Sequence, residues 1–209
     1  MYVSLDRKFI FFHVPKTGGT SIKAALRPHC LDTGSPEGLF QVHLDVNTMS
    51  TRIHKTVWDE YYKFAFVRNP WDLAVSYYHY VREHHAHVYH DTVMEYRDFP
   101  EYVEQAMWHR GLPETVVIQH RFTMSEQRDG INFVGRYETL QKDFERVCSS
   151  IGLCPIRLPV KNKSELKTNH YSAYYTSEAR EQVFNLCYED ISTFGYTFEE
   201  PSSSTPEQD

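Results

Sequence analysis

The sequence predicts an α/β fold with a mainly parallel central sheet flanked by helices, on three observations. Apolar, β-prone runs recur at Phe9-Ile10-Phe11-Phe12, Lys63-Phe64-Ala65-Phe66-Val67 and Ile131-Asn132-Phe133-Val134. Each leads through a short turn into a stretch with apolar residues at helical spacing. Strands that repeatedly give way to helices are joined by crossovers, which set neighbouring strands parallel. With 209 residues and 41% hydrophobic content the chain can bury one sizeable core, so a single domain over residues 1–200 is expected. The tail, residues 201–209, carries no apolar side chain to bury and is expected to be disordered.

In chain order, strand 9–12 runs into His13-Val14-Pro15-Lys16-Thr17-Gly18-Gly19-Thr20-Ser21, after which Ile22, Ala25 and Leu26 mark a helix that stops near Pro28. Turn residues fill 30–38, and 39–44 reads as a further strand ending at or near His43. A helix is expected over 51–62, then strand 63–67. Asn69 is a good N-cap, Pro70 suits the first helical position, and Asp72 favours the helix dipole. On that helix Trp71, Ala74, Val75 and Tyr78 form the core face, which leaves Ser76 with Asn69 and Asp72 on the other side. A helix over 98–110, a short strand or helical continuation at 116–119, and a strand over 131–138 follow. Leu140, Phe144, Val147, Cys148 and Ile151 then mark a helix, and Val183, Leu186, Cys187 and Ile191 mark another over 176–191.

Two of these strand–helix junctions have the chemistry of anion sites. In the first, adjacent Gly18 and Gly19 let the backbone turn, the helix start offers N–H donors, and Thr17, Thr20 and Ser21 add hydroxyls beside the charge of Lys16. A nucleoside-triphosphate loop would need Gly-Lys-Ser/Thr at its end; here the lysine precedes the glycines. In the second, Arg68 at a strand end and Ser76 eight residues later can hold one phosphate between them. Alone, the first is also an ordinary turn, and Arg68 also an ordinary surface ion pair.

Together, Pro15-Lys16-Thr17-Gly18-Gly19-Thr20-Ser21 and Arg68-Asn69-Pro70-Trp71-Asp72-Leu73-Ala74-Val75-Ser76 resemble, in order, the 5′-phosphosulfate and 3′-phosphate motifs of sulfotransferases that use 3′-phosphoadenosine 5′-phosphosulfate (PAPS). Leu73 departs from the pattern, which often has a basic residue there. Gly135-Arg136-Tyr137-Glu138-Thr139-Leu140 is also similar to the family. The resemblance implies a P-loop-like sulfotransferase fold, with transfer of a sulfuryl group from PAPS to an acceptor hydroxyl on a carbohydrate or other small molecule. It also implies 3′-phosphoadenosine 5′-phosphate (PAP) as product and no required metal. Residues 15–21, Arg68 and Ser76 would hold the nucleotide, with Arg136, Lys163 and Ser164 as further contacts. Glu138 is read as structural. The alternatives are a P-loop nucleotide kinase or ATPase and a nucleotide-binding protein without catalysis.

Lys16 is the expected catalytic cation, and His43 the expected general base, because its strand would deliver it between the two motifs. His54, Glu60, His120 and the histidines after Ser76 compete for that role. His79, His84, His85, His87 and His90 show no metal-ligand spacing such as HExxH, and no metal site is assigned. A net charge of −6 argues against nucleic acid and against anionic membranes as partners. Cys30, Cys148, Cys154 and Cys187 form neither a metal pattern nor a dense disulfide framework. The first strand begins within about ten residues of Met1 and no run approaches the ~20 apolar residues of a membrane span, so no leader or anchor is expected, and a soluble, cytoplasmic protein is. Acceptor identity and oligomeric state are left open.

Overall fold

The computed structural model describes residues 2–30, 45–109, 118–124, 130–161, 164 and 166–200. The expectations for 39–44 with His43, for 116–117, for Gly111, for Lys163 and for the tail 201–209 lie outside them. The chain groups into two compact units: residues 1–69 with 113–163, and residues 70–112 with 164–209.

The first unit is an α/β layer structure. Its sheet has the order β1 (Tyr2–Ser4), β2 (Phe9–Phe12), β3 (Tyr62–Val67), β4 (Phe133–Arg136). β2, β3 and β4 are parallel, with Phe11 opposite Phe64 and Val67 opposite Arg136. β1 adds an antiparallel edge that the sequence reading lacks, because three residues are too few to show a period. All four residues of β2 are fully buried, the signature of a strand covered on both faces. Ile10, Phe12 and Ala65 face one side with Met49 of α2 (Val46–Arg52) and Trp58 of α3 (Lys55–Glu60). Phe9, Phe11, Phe64 and Phe66 face the other, with Ile22 and Leu26 of α1 (Gly19–Leu26) and Phe144, Val147 and Cys148 of α7 (Leu140–Ser150).

The helix expected over 51–62 is instead two. Asp45 caps α2 by accepting from Thr48 N at 2.7 Å, Ile53 turns extended, and His54 restarts the chain by accepting from Thr56 N. Side-chain caps rather than glycine or proline make this break. Strand β4 ends at Arg136, and a 3-10 turn over Tyr137–Thr139 replaces the last part of the expected strand.

The second unit is helical: α4 (Pro70–Glu83), α5 (His90–Met94), α6 (Phe99–His109), α8 (Ser177–Leu186) and α9 (Tyr188–Phe194). The helix expected over 176–191 divides at Cys187, and Gly195 closes α9 in the left-handed conformation, φ +64°. Helix α4 is buried nearly all round: Leu73, Ser76, Tyr77 and His79 are buried along with Trp71, Ala74, Val75 and Tyr78. The expected split into core and outward faces therefore fails for Ser76, which is 7% exposed. A polar residue kept inside such a helix has a partner or a task.

Candidate active site

In the first unit, the parallel strands end at a common edge, where ligands of open α/β sheets bind. The loop from β2 to α1 lies there. Its glycines do different work. Gly18 is the helix cap at φ +82°, a conformation that strains any L side chain. Gly19 is required by proximity, since a Cβ would sit 1.9 Å from Cδ2 and 2.0 Å from Nε2 of His13. Lys16 also takes a left-handed backbone, φ +63°. For a lysine that is a strained conformation, of the kind found at ligand clamps. Buried Thr17 donates to the Val14 carbonyl at 2.9 Å and tightens the turn. The first helical bonds run from Ser21 N and Ile22 N to the Gly18 carbonyl. Among the described residues no side chain caps α1, and its first turn holds no acidic residue to offset the positive end of the helix. Thr20 is exposed at that end.

Arg68 continues from β3 and is 5% exposed. Its Nη1 donates to the Lys16 carbonyl at 3.0 Å, and its guanidinium lies 4.0 Å from the centre of the Tyr137 ring. The Gln119 side chain, fully buried, accepts from Arg68 N at 2.8 Å and donates to Arg68 O at 2.7 Å, imitating a neighbouring strand. Thus Arg68, expected as a phosphate contact, also supports the strained residue of the first loop. Asn69 N donates to Glu138 Oε1 at 2.6 Å, which agrees with a structural part for Glu138. Arg136 is exposed at the end of β4, while its N–H is held by Asp143 Oδ2 at 2.9 Å. Gln119, Tyr137 and His13 were missed by sequence reasoning. His13 lay within the first stretch and Tyr137 within Gly135-Arg136-Tyr137-Glu138-Thr139-Leu140, and nothing local distinguishes Gln119.

The second unit carries Ser76 on a polar stripe of α4, Asp72, Ser76, His79 and Glu83. Lys167 pairs with Asp72, and Glu83 Oε1 accepts from Ser164 Oγ at 2.6 Å and Leu166 N at 2.7 Å. Ser164, expected near the nucleotide, is held on Glu83 and also accepts from Lys167 N at 3.1 Å.

Among the other candidate bases, His54 is exposed and occupied as a helix cap, and Glu60 pairs with Lys8 at 3.0 Å. Residues 84–90 form a histidine cluster: His85 Nδ1 and His90 Nε2 are 3.1 Å apart, and His90 Nδ1 lies 2.9 Å from the Val81 carbonyl. Burial, then His84 and His90, push the His87 imidazole below its ordinary value. Among the described residues no three His, Cys, Asp or Glu converge to hold a metal ion, and no helix is long and apolar enough to cross a membrane. All four cysteines are unbridged.

A family model described as "Sulfotransferase family" matches residues 1–197, covering both motifs and every strand of the sheet. The chain belongs to the sulfotransferase family. No curated protein matches it significantly. Family membership carries sulfuryl transfer as the general activity, and the mostly parallel sheet, four-stranded among the described residues, is consistent with the family's fold.

Proposed function

We propose that this sulfotransferase moves a sulfuryl group from PAPS to a hydroxyl of a carbohydrate or other small acceptor, releasing PAP. The acceptor oxygen attacks sulfur, the bond from sulfur to the bridging phosphate oxygen breaks, and the acceptor proton passes to a base. What supports the reading is the loop over 16–21, a strained lysine and two obligatory glycines opening a helix with no acidic residue in its first turn. Lys16 and the loop amides meet the charge that grows on the leaving phosphate oxygen; alignment and charge neutralisation are most of what such a transfer needs. Thr17, Thr20 and Ser21 complete the 5′ side, Arg68 and Ser76 recognise the 3′-phosphate, Arg136 is a further proposed contact to the nucleotide, and Lys163 and Ser164 are proposed contacts to its phosphate or adenine. His43 is the proposed base, and the cytoplasm the proposed location.

A kinase or ATPase reading lacks its Gly-Lys-Ser/Thr signature. Calorimetry separates the two: PAP binds without metal and ATP with Mg²⁺ does not, whereas preference for ATP with Mg²⁺ overturns the assignment. Turnover of PAPS against a panel of sugars separates an enzyme from a binder without catalysis.

A further inference from the structure

His79 is 7% exposed, and among the described residues neither of its ring nitrogens has a hydrogen-bond partner. Leaving buried polar atoms unpaired is costly, and a neutral aromatic ring of the same size would avoid the cost. The imidazole is held neutral: burial, the largest influence, pushes it down to about 4, Arg82 and Lys167 act in the same direction, and Glu83 opposes them. Glu83, one turn on, commits its Oε1 to Ser164 and Leu166. The rings nearest to His79 are Tyr174, 4.9 Å away, and Tyr78, 5.2 Å away, both edge-on.

Its place narrows what the missing partner is. Asp72, Ser76, His79 and Glu83 follow one another at helical spacing on α4, and the segment from Ser164 to Tyr174 crosses that stripe. The segment is tied down at Asp72 by Lys167, at Glu83 by Ser164, and against His79 by Tyr174. Three residues of helix rise about 4.5 Å, so Ser76 and His79 lie within reach of one tetrahedral anion, whose oxygens each accept one hydrogen bond. Arg82 and Lys167 bring positive charge to the ring, which an anion would meet, against the opposing charge of Glu83.

We propose that His79 contacts the 3′-phosphate of the nucleotide, donating a hydrogen bond from one ring nitrogen one turn beyond Ser76. This rests on the PAPS reading and extends it to a residue outside the motif. A charge-assisted hydrogen bond of this kind is worth roughly ten- to hundredfold in affinity.

The test compares PAP with adenosine 5′-phosphate, which lacks the 3′ group, by calorimetry on the full chain and two variants. His79→Phe removes both unpaired nitrogens: its melting temperature should rise while PAP binding weakens at least tenfold and adenosine 5′-phosphate binding holds. His79→Gln keeps an N–H and should retain PAP binding within about threefold. If wild type binds PAP no better than adenosine 5′-phosphate, the PAPS reading fails. If wild type prefers PAP but His79→Phe binds it unchanged, His79 serves only a buried water or the acceptor and the proposal is overturned. Equal loss for both nucleotides in both variants also overturns it, by showing a packing role.

Discussion

Replacing Gly19 by alanine is the sharpest probe of the anion loop. The added Cβ would lie 1.9 Å and 2.0 Å from two atoms of the His13 ring, against the ~3.5 Å of an ordinary carbon contact. His13 has little room to yield: it is 9% exposed, and its ring lies 6.0 Å from that of Phe11. Either the imidazole leaves its site or the loop shifts off the start of α1. Overpacking of this kind costs about 1–3 kcal/mol. In a chain of this length each kcal/mol moves the melting temperature by about 2–4 °C, so a fall of roughly 3–10 °C is expected in a thermal melt, with weakened PAP binding. Trimming the other side of the contact should relieve it. His13→Ala with Gly19→Ala should be more stable than the sum of the single effects by about 1 kcal/mol or more, since residues in contact do not add. Strict additivity, or a Gly19→Ala melt within a degree of wild type, would refute the claim that proximity to His13 is what demands glycine.

Four further outcomes are expected. Lys16→Ala should lower kcat about a hundredfold while changing PAP affinity far less, as measured by steady-state kinetics beside calorimetry; a kcat within a few-fold of wild type removes the lysine from the transition state. Arg68→Ala should weaken PAP more than adenosine 5′-phosphate, and should also destabilise by about 2–4 kcal/mol in denaturant melts, because the bond to the Lys16 carbonyl and the stacking on Tyr137 go with it. His43→Ala should leave PAP binding intact, drop turnover ~10²–10⁴-fold and abolish the acidic limb of the pH profile; an intact limb at near-normal rate sends the search for the base elsewhere. His79 has a lowered folded value, so the unfolded chain binds its proton first. Above the ordinary 6.5 this difference costs nothing, and as pH falls toward about 4 it destabilises the fold by up to about 3 kcal/mol. His79→Phe should flatten that part of the stability curve in melts from pH 7 to pH 4.

The sequence alone determined the two strand–helix junctions and the family. Those features are local: an apolar run, a glycine pair, and Asn69-Pro70 ahead of a helix act within a few residues, where caps and backbone preferences decide the outcome. It also foresaw the parallel sheet, since strands that repeatedly give way to helices are joined by crossovers. The split of 51–62 at His54 and of 176–191 at Cys187 was not legible, because a side-chain cap made one break and no glycine or proline marked either. What only the tertiary structure decided is how the site is held. Register between β3 and β4 brings Tyr137 beside Arg68, and Gln119, 51 residues away in sequence, clasps the Arg68 backbone. Likewise His79 reads on paper as one histidine among many; only the fold buries it beside Tyr174 with no partner for its nitrogens among the described residues. Such pairings depend on which distant segments the fold brings together, and a chain-local pattern carries no record of that distance.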